Sequence, residues 1–248
     1  MVADVAHAPQ ATSPREGRLG ARPPSWVHQV RIVLRKDLLI EFRTGEVVIT
    51  SGFFALLVVV LSSLAFYGGP TTGRIVASGA IWLSIAFAAV LGLGKTWQRE
   101  RDESALEGLL VSPLSRSAIF AGKAGGVWLF LCAVQLVVIP AAMLLFSLDP
   151  AREGPGLFLI ALIATPGVAA SGTLFGAMTV RTQARDLLLA IVLFPLLSPT
   201  LLAAVAATRE LLNGVPVAEL FDYFKLMMVF DVAFVAGGLG LFGTLIER

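Results

Sequence analysis

The sequence predicts an all-α membrane protein with six transmembrane helices, and three observations carry that expectation. Of 248 residues, 56% are apolar and only 15% are charged, far from the charge content of a water-soluble domain. Six apolar runs, at 47–67, 75–94, 124–148, 157–180, 187–207 and 226–246, reach the roughly 20 residues that a helix needs to cross a bilayer. Lysine and arginine, finally, gather on one side of the membrane that these runs define. The 24 glycines and 13 prolines fit the same class, because neighbouring helices in lipid re-satisfy the backbone groups that such residues free.

The first 25 residues, rich in Ala, Pro and Arg and without an apolar stretch, lack the core of a secretory signal and read as a disordered cytoplasmic tail. Residues 26–44 form the first expected helix. Trp26, Val30, Leu34, Leu38 and Phe42 recur every four residues, which places them along one slowly drifting stripe, with Asp37 and Glu41 at its edge. Two readings stay open: an interfacial helix in the headgroup layer, anchored by Trp26 and its basic residues, or an ordinary cytoplasmic helix packed on the protein.

The six spans follow. The fourth and fifth are joined only by the run RTQARD at 181–186, which demands an antiparallel hairpin. Of the 19 lysines and arginines, all but Arg74, Arg152, Arg209 and Lys225 fall on the side of the N-terminus. That excess places both termini in the cytoplasm, with the bilayer as the partner and no role for nucleic acid. Inside the spans, Pro195 and Pro199 in the run FPLLSP are candidate hinges, and Pro140 and Pro166 offer further kinks. Gly172 and Gly176 form a small-xxx-small face expected to pack on the hairpin partner of the fourth span. Gln135 is expected to make an interhelical hydrogen bond. Asp231 lies roughly 8 Å into the last span at 1.5 Å per residue and reads as a polar contact near the outer face, paired with Lys225 or Arg74 or neutralised by protonation.

The loop at 95–123 contains a false signal and an informative one. Gly94, Lys95 and Thr96 match the end of a phosphate-binding loop, but Ala89 replaces its first glycine and a membrane span stands where the strand should be. Lys95 instead snorkels to the headgroups where the span closes. Beyond it, Glu100, Arg101, Asp102, Glu103 and Glu107 alternate with Leu106, Leu109 and Leu110 at the spacing of a short amphipathic helix. Pro113 stops it, and Ser115 or Ser117 caps a second helix. Such a segment suits docking into a groove on a soluble partner, although charge runs are commonly solvated faces.

The run RERDESALEGLLVSPLSRSAIFAGK resembles the cytoplasmic loop of the haem exporter protein B family (CcmB), membrane subunits of the ABC transporter for cytochrome c maturation. RKDLLIEFRTGE at 35–46, GTLFGAMTVRTQARDLLLAIVLFPLLSP at 172–199 and FDVAFV at 230–235 are similar to other stretches of that family, in order and in register. The resemblance implies an ABC-2-type exporter permease in the bacterial cytoplasmic (inner) membrane, with ATP hydrolysed by a separate, CcmA-like ATPase. It also implies CcmC-like haem-handling and small CcmD-like membrane subunits as partners. By this resemblance the loop is a coupling element: Leu106, Leu109 and Leu110 supply buried contact with the ATPase, while Glu100, Arg101, Asp102, Glu103 and Glu107 set register through rim charges.

The residues exclude several alternatives. No span carries paired carboxylates, an HExxH or a GxSxG motif, so the chain is not expected to be an enzyme. Cys132 stands alone, and His7 and His28 precede the first span, so direct haem ligation has little support; the expectation is no directly bound cofactor, with haem held by partner subunits. The alternative within transport is a permease for a lipid, a polysaccharide or a drug.

Overall fold

A computed structural model describes residues 24–66, 69–102, 108, 111–179 and 185–246. Its regular elements are helical: α1 (Trp26–Thr44), α2 (Glu46–Ala65), α3 (Pro70–Asp102), α4 (Arg116–Leu145), α5 (Gly154–Thr179), α6 (Arg185–Leu212), a 3₁₀ turn (Val217–Leu220) and α7 (Phe221–Ile246). Among the described residues there is no strand. Five stretches, within α2, α3, α4, α5 and the 3₁₀–α7 unit, are long and apolar enough to cross a membrane. The expected fifth span lies inside α6, a helix of 28 residues that contains Pro195 and Pro199.

One residue separates α1 from α2. Gly45 adopts φ 61° and donates its N–H to the Glu41 carbonyl, ending α1 in the left-handed conformation that glycine allows, and α2 starts at the next residue. A Cβ at Gly45 would lie 2.8 Å from the outer methyl of the exposed Ile49 side chain, which can move aside, so it is the backbone conformation that selects glycine.

The expected loop between the second and third spans is much shorter than its sequence suggests. α3 has 33 residues, about 50 Å at 1.5 Å per residue, against about 30 Å of hydrocarbon. It does not end at Gly94, Lys95 and Thr96 but continues to Asp102, because the side chains after Thr96 find partners on α1, α2 and α4. α4 begins at Arg116, where the Ser115 hydroxyl accepts the Ala118 N–H, and runs without interruption through the third span. The expected second loop helix is therefore the first turns of that span. Only 103–115 is left to join them, and Glu103, Leu106, Glu107, Leu109 and Leu110 lie outside the described residues.

α5 is the centre of the bundle, touching α3, α4, α6 and α7. Lipid provides no hydrophobic drive between helices, so close approach at small residues takes over. Gly172 and Gly176 receive Leu93 and Trp97 of α3: a Cβ at either would fall about 2 Å from the visiting side chain. The small-residue face thus packs on α3 and not on the hairpin partner α6, because it presents flat backbone to the large side chains that α3 projects at i and i+4. α7 buries a narrow stripe containing Phe224, Met227, Gly238, Phe242 and Ile246, with Phe120 of α4 against Gly238 and 5.4 Å from the Phe242 ring.

At the end of the bundle away from the 103–115 loop, Arg74 reaches Glu153 at 3.0 Å and the Leu212 carbonyl, joining α3, the start of α5 and the end of α6. Asp231 does not use Arg74 or Lys225. Its Oδ1 accepts the N–H of Gly167, the residue after Pro166, at 2.8 Å, and Lys225 pairs with Asp222. A proline disturbs the helical bonds around it, and Asp231 supplies an acceptor from the neighbouring helix at that point. The Gln135 amide nitrogen is buried without a hydrogen-bond partner among the described residues, so the expected interhelical bond is not made by that atom.

Replacing Gly45 by Ala is expected to lower the unfolding free energy by about 1–2 kcal/mol, the cost of a left-handed non-glycine residue. Gly52→Ala, in the middle of α2 with open space at its Cβ position, serves as the control and leaves stability unchanged or slightly raised. Reversible denaturation in mixed micelles measures both.

Candidate functional site

The described part of the loop end is organised around a buried ion cluster on three helices. α4 contributes Lys123, in the run AGKAGG at 121–126. Its neighbours Gly122, Gly125 and Gly126 face Val33, Leu34 and Asp37 of α1; a Cβ at Gly122 would stand 2.6 Å from Val33. α1 therefore lies close along α4. Its buried residues are Gln29 and Val33, one position round from the expected stripe, and Phe42 of that stripe is 85% exposed. The helix turns this way because Asp37, one turn beyond Val33, has to reach Lys123.

Lys123 is 2% exposed. Its Nζ lies 2.6 Å from Glu100 Oε1 and 3.1 Å from Asp37 Oδ2, and Lys36 joins at 3.0 Å from the same Glu100 oxygen and 3.2 Å from Asp37. Two ammonium groups thus meet two carboxylates, the balance that burial of charge requires. Burial works against the Lys36 ammonium, but Asp37 and Glu100 more than offset it, so its pKa is raised above the ordinary lysine value. What Lys36 contributes is accordingly complete below that ordinary value and is lost only in strong alkali, as pH rises through the raised pKa.

The end of α3 is fixed on its other flank by Trp97, which is 1% exposed. The indole sits on Gly176 of α5, with Lys123 Nζ 5.9 Å from its centroid, within cation–π range. Two buried polar atoms here, Trp97 Nε1 and Glu100 Oε2, have no hydrogen-bond partner among the described residues. Nearer the surface, Lys95 and Arg99 pair with Glu46 of α2 at 2.9 and 3.2 Å, and Glu41 accepts the Val48 N–H. α1 is tied to the start of α4 by Gln29, whose Oε1 accepts the Ser115 N–H at 2.8 Å, and by Trp26, whose indole donates to Ser117. A cavity of about 530 Å³ lies among α1, α2, α3 and α4, with Arg99, Glu100 and Lys123 on its polar wall and Val48, Leu129 and Phe130 on its apolar one.

A long charged extension of a transmembrane helix, braced by a second helix before the first span, is what the loop sequence is built upon. A sequence profile of the family described as CcmB protein matches residues 28–239. The chain belongs to the CcmB family. Heme exporter protein B of Bradyrhizobium diazoefficiens is 28% identical over 184 residues, which cover 73% of this chain and 82% of that protein. Its counterpart in Pseudomonas aeruginosa is 28% identical over 185 residues (75% and 82%), and that of Escherichia coli K12 is 26% identical over 185 residues (75% and 84%). A CcmB protein of this kind is a multi-pass membrane component of haem export.

The loop residues singled out in this CcmB sequence separate in the structure. Glu100 is not a rim charge: it is 5% exposed and turned into the ion cluster, because the helical register that puts Trp97 on Gly176 also points Glu100 inward one turn later. Arg101 is exposed, Asp102 ends α3, and Pro113 is exposed just before the Ser115 cap. Lys123, Asp37, Lys36 and Gln29 belong to the site without being marked by any sequence motif. The signal for Lys123 was present as a lone cation among alanines and glycines. Among the described residues no three His, Cys, Asp or Glu side chains gather as a metal site.

Replacing Lys123 by Met leaves the buried Glu100 and the partly buried Asp37 beside a single partly exposed lysine. The expected loss of stability is about 3–5 kcal/mol, the cost of breaking a buried pair from one side. Fluorescence-detected gel filtration after a heat ramp reads it as a lower melting temperature.

Proposed function

We propose that this chain is the membrane permease subunit of an ABC-type complex, coupling ATP hydrolysis on a separate ATPase polypeptide to a haem-handling step in cytochrome c maturation. The observation that carries this reading is the match of the CcmB family over most of the chain, together with relatives named heme exporter protein B. The long α3 supports it: the helix continues past Lys95, where the apolar run ends, as far as Asp102, directly before the leucine-bearing segment in sequence. In this reading six spans cross the cytoplasmic membrane, α6 being the fifth, and both termini lie in the cytoplasm. The chain itself carries no catalytic group. Residues 103–113 dock on a CcmA-like ATPase through Leu106, Leu109 and Leu110, with Arg101, Asp102, Glu103 and Glu107 at the rim. CcmC-like and CcmD-like subunits complete the complex and hold the haem, and Pro195 and Pro199 give α6 its bend during the cycle.

The test is a complex purified with Leu106→Asp and Leu109→Asp together. Two buried carboxylates in an apolar contact reduce co-purification of the ATPase about tenfold or more, while the membrane subunit accumulates normally. Undiminished co-purification, with ATP turnover still responding to the membrane subunit, overturns the docking assignment.

A further inference from the structure

We propose that Lys36, Asp37, Glu100 and Lys123 form a charge latch that makes α1 and the loop-bearing end of α3 move as one body, so that α1 shares the displacement that the loop receives. The proposal rests on the coupling role above and assigns Lys123 as its central positioning residue. Four observations converge on it. The ion pairs cross three helices, and Lys123 bridges Asp37 on α1 to Glu100 on α3. Glu100 lies at the last turn of α3 that the structure describes before the loop, where a lateral force on the loop is first met by the bundle. The cluster is balanced in charge yet incompletely hydrogen-bonded: both lysines converge on one Glu100 oxygen while the other oxygen, and Trp97 Nε1 one turn before it, are buried without partners among the described residues. Glu100 thus keeps an acceptor, and Trp97 a donor, open to a partner in a second position of α3. Finally, Glu100 and Lys123 line the cavity of about 530 Å³, which leaves the end of α3 room to take a second position.

A purely stabilising role is a poor account of these charges. Apolar residues of similar volume replace a buried ion cluster at little or no cost in stability, and α1 already has close contact with α4 at Gly122. Directional pairs between α1 and α3 add what apolar contact does not: resistance to sliding of one helix against the other.

The experiment uses the assembled complex with three variants of this chain. Lys123→Met alone lowers its melting temperature. Lys123→Met with Glu100→Gln removes the unpaired charge and keeps Lys36 beside Asp37, so thermal stability and ATPase co-purification return towards wild type. The latch predicts that maturation of a reporter cytochrome c nevertheless stays reduced about tenfold, within the usual range of a coupling free energy. Wild-type maturation by the stable double variant overturns the latch. If the double variant does not assemble, Lys36→Gln on the partly exposed arm decides: a several-fold loss of maturation per assembled complex is expected, and full activity overturns the proposal. The docking variant at Leu106 and Leu109 separates the two ideas. If it behaves as wild type the coupling role itself fails, whereas a defective docking variant beside a fully active latch variant removes the latch alone.

Discussion

The burial of one ammonium group, that of Lys123, is the constraint from which the arrangement of the loop end follows. A lysine that is 2% exposed has to meet anions or lose its charge, and this bundle brings it two. Asp37 arrives on α1, which fixes how α1 is rotated about its own axis and leaves Phe42 facing outwards. Glu100 arrives on α3, which has to stay helical beyond the point where its apolar run ends. The unusual length of α3 and the seat of α1 along α4 are thus two consequences of the same need.

Close packing and charge divide the work between them. Within the apolar layer the contacts that set helix positions are made at glycines: Leu93 on Gly172, Trp97 on Gly176 and Phe120 on Gly238. These select distance and register but resist sliding only weakly. At the two ends, where water screens less than completely, ion pairs add direction. Arg74 with Glu153 joins α3 to the start of α5 at one end, and the four-residue cluster joins α1, α3 and α4 at the other. Relatives in the family are named heme exporter protein B, and under the proposed coupling role a membrane subunit that receives force at one end needs that end to be stiff. Trp97 is where the two kinds of contact meet, since its ring rests on a glycine of α5 and lies beside Lys123.

The helical class, the five helices that meet the requirement for crossing and the Ser115 cap were legible in the sequence, because run length and capping chemistry are local properties. What was not legible was any feature decided by the partner of a side chain. The charge run beginning at Arg99 reads as one solvated face, yet Glu100 points inward because Trp97, three residues earlier, has already fixed the register on α5. The apolar stripe on α1 lies one residue away from the face that is buried: apolar spacing suggests Val30 and Leu34, while the structure buries Gln29 and Val33 and turns Asp37 to Lys123, so polar bonds override a hydrophobic pattern. The glycine pair at 172 and 176 is legible as a close-packing face, but its visitor, α3, is remote in sequence. Asp231 is expected to pair with Lys225 or Arg74 or to be protonated, whereas the hydrogen bond it makes is with a backbone amide beside a proline, which no charge pattern records.

Hydrogen exchange of the full chain in lipid nanodiscs, wild type against Lys123→Met, shows whether the buried charge of Lys123 holds α1 to the bundle. If it does, the amides of α1 between Val27 and Thr44 exchange faster as a block in the variant, while those of α5 keep their protection. Unchanged protection of α1 in the folded variant would contradict it and leave the glycine seat on α4 as sufficient to hold the helix.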